Sequence, residues 1–106
     1  MNGAGQVKAE LTFLSPSEGG RNSLPLAPWS NAGYGGYMPH LVVDGSDEYL
    51  GVKFIGGPRP VCGEPAVFDL LLMYPDVDYS ILSPGVAVTV REGKRIVATG
   101  RVLERA

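Results

Sequence analysis

Apolar and polar residues alternate with a period of two along most of the chain. At residues 6–13, the apolar side chains of Val7, Leu11 and Phe13 alternate with charged and hydroxyl side chains. Alternation of this kind is typical of a β-strand with one buried and one wetter face. No apolar pattern with the helical period of 3.6 residues persists over several turns. The pattern therefore predicts an all-β protein.

Further strands are predicted at 37–43, 49–55 and 66–74. Pro39 has no N–H to donate to a ladder, so the first of these segments should begin at Pro39 or lie on an edge. The segment 66–74 is apolar at both odd and even positions, which predicts burial on much of both faces. It would place Phe68 and Tyr74 on the same face.

The last part of the chain predicts a β-hairpin. The predicted turn is EGKR, residues 92–95, in which Gly93 is free to take positive φ. The apolar positions of its two arms are Val86, Val88 and Val90, then Ile96, Ala98 and Val102. Six strands with short connections, punctuated by 15 glycines and 9 prolines, predict a closed barrel or a sandwich.

A long loop is predicted at about residues 15–36. Loops of this length in a compact domain tend to be functional or locally packed. Gly19 and Gly20 would supply a sharp turn with exposed backbone N–H groups. Trp29 needs a dry environment, so the middle of the loop should pack against the barrel.

Composition predicts one soluble domain over residues 1–106, with no internal linker or repeat. Cys62 has no second cysteine to pair with, which favours a reducing compartment. There is no secretory signal pattern and no apolar stretch of roughly 20 residues, so we expect a cytoplasmic protein and no membrane partner. The net charge of -2 argues against strong nonspecific binding of nucleic acid.

The candidate catalytic and metal-binding residues are few and lack the required spacing. Cys62 and His40 are the only thiol and the only imidazole, with no hydrolase signature and no paired zinc-ligand spacing around them. The acidic segment 44–48 lacks the twelve-residue calcium loop, and Asp76 and Asp78 follow a strand as turn residues do. No phosphate loop occurs. We therefore expect no enzyme activity, no metal and no cofactor.

Three motifs in order carry a family resemblance: EGGR at 18–21, YMPH at 37–40 and REGKRIVATG at 91–100. They resemble segments of the carboxyl-terminal (third) domain of translation elongation factor Tu. That family has Glu-Gly-Gly-Arg, Tyr-Arg-Pro-Gln and Arg-Glu-Gly-Gly-Arg-Thr-Val-Gly-Ala-Gly at the corresponding places. The resemblance covers residues 6–104.

The resemblance implies a six-stranded antiparallel closed β-barrel with partner-binding surfaces. In the elongation factor, this domain contacts the T stem of aminoacyl-tRNA, packs against the GTPase domain and contributes to binding of the exchange factor. An Arg on a Gly-rich turn can reach a phosphate bidentately, while adjacent N–H groups approach closely. The positions implied for RNA or phosphate binding are Gly20, Arg21, Arg91, Gly93, Lys94 and Arg95.

Neither the GTPase domain nor the second barrel of that factor is encoded here, so this chain alone should not bind nucleotide or deliver tRNA. Met38 stands where the family has an Arg, which lowers the positive charge. The first hypothesis is therefore a non-catalytic module that binds a protein partner, anchored by Trp29, Tyr34 and Tyr37. The second is a module that binds tRNA or another RNA. The third is a structural domain that dimerises on an exposed strand edge.

Overall fold

The computed structural model describes residues 5–20 and 37–105, which form a closed barrel of six antiparallel strands. Around the barrel the strands follow the order β1-β4-β3-β2-β5-β6. They are β1 (Gln6–Phe13), β2 (His40–Val43), β3 (Leu50–Gly56), β4 (Ala66–Leu72), β5 (Ala87–Glu92) and β6 (Arg95–Arg105). The only helix of the described residues is a 3₁₀ turn, Pro16–Glu18. The predicted barrel is confirmed.

Closure also bears on the predicted dimer. Each of the six strands pairs with a neighbour on both sides, so none of the described strands has a free edge. A dimer built by strand addition needs such an edge. The expectation of an exposed edge was wrong, because the first strand pairs with the last.

The sequence predicts a strand that begins at Tyr37, but β2 begins at His40. The carbonyls of Tyr37 and Pro39 still accept bonds from the N–H groups of Phe54 and Val52, at 2.9 and 3.1 Å. Pro39 cannot return a bond to β3, because it has no N–H. The chain before β2 therefore runs beside β3 without completing the ladder.

The prediction that segment 66–74 is buried on much of both faces was wrong. Phe68 and Leu70 are buried, at 1% and 0% exposure, but Val67 is 40% exposed. The strand ends at Leu72, and Tyr74 lies outside it with 51% exposure. One face of β4 therefore covers the barrel interior and the other faces outward.

The hairpin of β5 and β6 turns at residues 92–95, as predicted, with Gly93 at φ 63°. The register shifts between Val90 and Arg91, so that Val97 and Ala98 are both buried. A β-bulge of this kind breaks strict alternation. The predicted alternation puts Ile96 and Ala98 on the buried face and leaves the residue between them on the other face. It was wrong at that residue, Val97, which is 0% exposed.

The barrel interior is filled by apolar side chains from all six strands. Phe13, Phe54 and Phe68 form its aromatic centre, with ring centroids 5.4–6.1 Å apart. Side chains fill the interior of small barrels in this way and leave no channel. Any ligand of appreciable size must therefore bind to the outer wall or to the ends.

The connections divide the barrel into two ends. At what we call the loop end lie residues 14–20, the approach to β2, the β3–β4 connection and the β5–β6 hairpin. At the turn end lie the β2–β3 turn, the β4–β5 connection, Gln6 and Arg105.

The turn end is closed by Tyr79 and Leu82 of the β4–β5 connection, which are 4% and 0% exposed. The Tyr79 hydroxyl donates to the Gly51 carbonyl at 2.6 Å and accepts the Tyr74 N–H at 3.1 Å. Arg105 donates to the carbonyls of both Tyr79 and Leu82. These two residues of the connection therefore belong to the core.

Candidate binding surface

The topology brings two of the predicted motifs to the same end of the barrel. Strand β1 pairs with β6, and the Leu14 N–H donates to the Val97 carbonyl at 2.9 Å. Residues 15–20 therefore lie at the loop end with the hairpin that carries Gly93, Lys94 and Arg95. Gly93, Lys94 and Arg95 are all exposed at the hairpin turn.

The segment 15–20 is a compact turn held by its own hydrogen bonds. The N–H and the hydroxyl of Ser15 donate to Oε1 of Glu18 at 2.9 and 3.1 Å. The bonds from the Ser15 backbone and side chain hold the pKa of the Glu18 carboxyl below its ordinary value. Glu18 thereby stabilises the turn rather than facing a ligand.

Gly19 and Gly20 are required in this turn for different reasons. Gly19 takes φ 96°, the left-handed region that glycine favours. Gly20 is buried, and a Cβ there would overlap the carbonyl of Leu14. The Gly20 N–H donates to the Ser15 carbonyl at 2.9 Å, so it is already used within the turn. The expected exposure of this N–H to a phosphate is therefore not found.

We expect Gly20→Ala to lower the free energy of unfolding by about 1–3 kcal/mol, since the added methyl group meets backbone rather than a movable side chain. Gly19→Asn is the matched control. Nothing lies within 4 Å of a Cβ at Gly19, and Asn tolerates the left-handed region, so its cost should stay below about 1 kcal/mol. Urea unfolding followed by circular dichroism measures both. A larger loss of unfolding free energy in Gly19→Asn than in Gly20→Ala would contradict this description of the turn.

Tyr37, predicted as an interface residue, packs onto the core. Its ring centroid lies 5.1 Å from that of Phe54, and its hydroxyl donates to Oε2 of Glu92 at 2.5 Å. Tyr37 therefore ties the approach of β2 to the hairpin. The other predicted anchors, Trp29 and Tyr34, and the predicted phosphate contact Arg21 lie outside the described residues.

A cluster of aromatic and cationic side chains lies on the outer wall formed by β3, β2 and β5. We call it the outer patch and define it as His40, Tyr49, Tyr74 and Arg91. The Arg91 guanidinium carbon lies 5.7 Å from the Tyr49 ring centroid, and the His40 ring is edge-on to Tyr49 at 5.7 Å. A Cβ on Gly51 would overlap the Tyr74 ring, which places that ring over β3.

The backbone positions the outer patch. His40 is paired across the ladder with both Gly51 and Arg91. Val42 is excluded from the interior cluster and yet is only 2% exposed.

Arg91 is fixed in orientation but has no carboxylate partner in the described part of the chain. Its Nε donates to Oγ1 of Thr89 at 3.0 Å, and a terminal nitrogen lies 3.4 Å from the Tyr49 hydroxyl. Stacking on an aromatic ring and a fixed Nε limit the rotamers available to the guanidinium. Arg91 therefore presents unused donors on a rigid strand.

Two other cations of the outer wall, Lys8 and Arg101, are paired with acid. Lys8 donates to Asp69 at 2.6 Å, a bond that raises the pKa of Lys8. Arg101 lies 3.6 Å from Glu10. Arg91 differs from both because it has no acid partner in the described part of the chain. Arg91 is held in place by Thr89 and Tyr49 and has no acid partner among the described residues, which favours it as a binding site for an external anion.

Sequence reasoning identified Arg91 but missed the three aromatic residues around it. Tyr49 and Tyr74 were assigned to strands by their apolar character, although they are 41% and 51% exposed. The sequence analysis places His40 in the YMPH motif and weighs it as a catalytic or zinc residue, but does not connect it with Tyr49 or Tyr74. A usable signal was present in Tyr49, which stands at the first predicted position of its strand, outside the interior alternation of Leu50 and Val52.

The residues considered for catalysis have other neighbours. The Cys62 thiol donates to the Leu14 carbonyl at 3.5 Å, whereas His40 contacts Tyr49. Asp78 accepts the Ser80 N–H at 2.9 Å, a turn contact, and hydrogen bonding to Ser80 lowers the pKa of Asp78. Within residues 5–20 and 37–105, no three His, Cys, Asp or Glu side chains are grouped closely enough to hold a metal ion.

Comparison with known proteins adds no family. No family model matches the chain, and no curated protein is similar to it at a significant level. The resemblance to the third domain of elongation factor Tu therefore stays a prediction. In the part of the chain that the structure describes, no helix has the length and apolar character needed to span a membrane.

Proposed function

We propose that this protein is a non-catalytic binding module that recognises a protein partner through the outer patch. The packed interior supports surface binding, because apolar side chains occupy the space in which a barrel could hold a small ligand. A cytoplasmic location and a role in translation are further proposals drawn from the sequence.

The observation that supports this proposal best is the composition of the outer patch. Tyr and Arg are among the residue types enriched at the energetic centres of protein interfaces. Tyr49 and Tyr74 are exposed, while Arg91 is held in place by Thr89 and Tyr49. Arg91 lies on a paired strand, Tyr49 directly precedes β3 and contacts Arg91, and the Tyr74 ring lies against Gly51, so binding would cost little side-chain entropy.

Photocrosslinking tests the proposed surface. A benzoylphenylalanine in place of Tyr74 should crosslink a protein in native extract, and the adduct should survive treatment with ribonuclease. The same group in place of Val67 is the matched control, since Val67 is 40% exposed but lies on β4 opposite Glu10 of β1.

Adding Arg91→Gln to the protein that carries the Tyr74 crosslinker should reduce the adduct about tenfold or more, since truncated interface centres cost about 2 kcal/mol. Equal crosslinking from positions 74 and 67, or a yield of adduct that Arg91→Gln does not change, would overturn the proposed surface.

RNA binding is the second candidate, and the hairpin supports it. Lys94 and Arg95 are exposed at its turn, close in sequence to the unpaired Arg91. If RNA is the partner, the affinity for tRNA must fall steeply between about 50 and 200 mM salt, because phosphate contacts release counterions. Replacing Lys94 with Gln should then reduce the salt slope by about 0.7–0.9. A salt-independent, Lys94-independent signal in fluorescence anisotropy would exclude this candidate.

A further inference from the structure

We propose that His40 and Arg91 together bind a carboxylate of the protein partner, and that protonation of His40 strengthens this binding. The inference rests on the proposed function, and it adds the chemistry and the pH dependence of the outer patch. It concerns a single histidine, since the chain has one.

The strand register places the two residues side by side. His40 on β2 and Arg91 on β5 are Cα partners in the antiparallel ladder. Both belong to the outer wall, since each alternates with a buried neighbour, Leu41 and Val90 respectively. Side chains opposite each other on one face of a sheet have Cβ atoms about 4.5–5.5 Å apart. One oxyanion can therefore contact both groups.

Tyr49 orients both groups. Its ring meets the His40 ring edge-on and the Arg91 guanidinium over its face, each at 5.7 Å. Arg91 spends its Nε on Thr89, which leaves terminal N–H groups for a carboxylate. Protonated His40 would add a second charged donor, because both ring nitrogens then carry a proton.

The other charged and titratable groups around His40 come from each neighbouring element. Tyr49 directly precedes β3, and Lys53 lies in β3 two residues beyond Gly51, the ladder partner of His40. The ring of Tyr74 lies over Gly51. The β2–β3 turn carries Asp44, Asp47 and Glu48, and the hairpin carries Glu92, whose carboxylate accepts a bond from Tyr37. None of these carboxylates forms an ion pair with Arg91 among the described contacts.

The sign of the effect follows from the charges. A bound oxyanion favours the imidazolium and raises the pKa of His40. Because linkage is reciprocal, the oxyanion must bind more tightly below this pKa than above it.

Sulfate is a suitable probe because its charge is constant over the pH range in which imidazole side chains generally change protonation. Proton NMR of the single imidazole gives its pKa with and without sulfate at constant ionic strength. We expect saturating sulfate to raise the pKa by about one unit, the low end for an opposite charge in contact. By reciprocity, sulfate should bind about tenfold more tightly at about pH 5.5 than at about pH 8.

Three variants test the assignment. Arg91→Gln should abolish the sulfate-induced shift of the His40 pKa, and His40→Gln should remove the pH dependence of sulfate binding. Arg101→Gln is the matched control, since Arg101 is also a cation of the outer wall but is paired with Glu10. It should leave both properties unchanged.

Either of two outcomes overturns the inference: no sulfate-induced change in the wild-type protein, or a change that persists in Arg91→Gln. The wild-type titration needs no variant and so does not depend on folding of a mutant. If the inference fails while the Tyr74 crosslink to a protein persists, the proposed function survives and only the oxyanion chemistry is excluded.

Discussion

Replacing Phe54 with alanine is expected to lower the free energy of unfolding by about 3–5 kcal/mol. Phe54 is 0% exposed, and its ring centroid lies within 6.1 Å of those of Phe13 and Phe68. It also supports Tyr37, whose ring lies 5.1 Å away. Removing the ring therefore creates a cavity where three strands and the approach to β2 meet.

Urea unfolding monitored by near- and far-ultraviolet circular dichroism measures this loss. Ile55→Ala is the matched control, because the adjacent Ile55 is 37% exposed on the outer wall. It should cost about 1 kcal/mol or less, as surface substitutions usually do. If the two variants lost similar amounts of unfolding free energy, the aromatic centre would contribute no more to stability than an exposed residue of the outer wall.

Tyr79→Ala is expected to have an effect of the same size, about 3–5 kcal/mol, although Tyr79 lies in a connection and not in a strand. Its side chain is 4% exposed and closes the turn end of the barrel. Its loss would also remove the bond that the Tyr74 N–H donates and would leave the Gly51 carbonyl with the N–H of Met73, at 3.3 Å.

Tyr79→Phe separates the two contributions. It keeps the ring and removes only the hydroxyl, so we expect a loss of about 1–3 kcal/mol from the two hydrogen bonds of this buried group. The measurement is again urea unfolding. Ser80→Ala, at an exposed neighbour, should change little. If Tyr79→Phe were as destabilising as Tyr79→Ala, the hydrogen bonds rather than the packing would hold the connection.

The period-two alternation predicted the barrel because it survives in the strands that pair regularly. Val7, Leu11 and Phe13 are all buried as expected, and so are Val88 and Val90. It failed at Val97, where a bulge puts two successive residues on the inner face. A bulge depends on pairing between strands, which one segment of sequence does not encode.

Tyr79 shows a different limit. The segment around it was interpreted as an acidic turn, and its turn contacts are present at Asp78. Nothing in the local pattern indicates that the next residue enters the core. Its burial depends on the end of the barrel that it covers. It also depends on the hydrogen bonds that Arg105 donates to the carbonyls of Tyr79 and Leu82. Such a contact becomes visible only when the tertiary structure is known.

The candidate site was predictable only in part. The sequence placed Arg91 in the last hairpin, and the hairpin by itself determines only its partner on β6, Ile96. The pairing with His40 could not be foreseen, because it depends on β2 and β5 being neighbours in the closed order. The exposure of Tyr49 and Tyr74 likewise depends on where β3 begins and β4 ends.

The pairing of the first strand with the last has a consequence for fusions. Val7 is opposite Arg105, so both emerge at the turn end, away from the hairpin. A reporter or an additional domain attached before Gln6 or after Arg105 would be directed away from Lys94 and Arg95. The two attachment points are also close enough for a short peptide to connect them, which makes a circularly permuted version of the barrel a realistic construction.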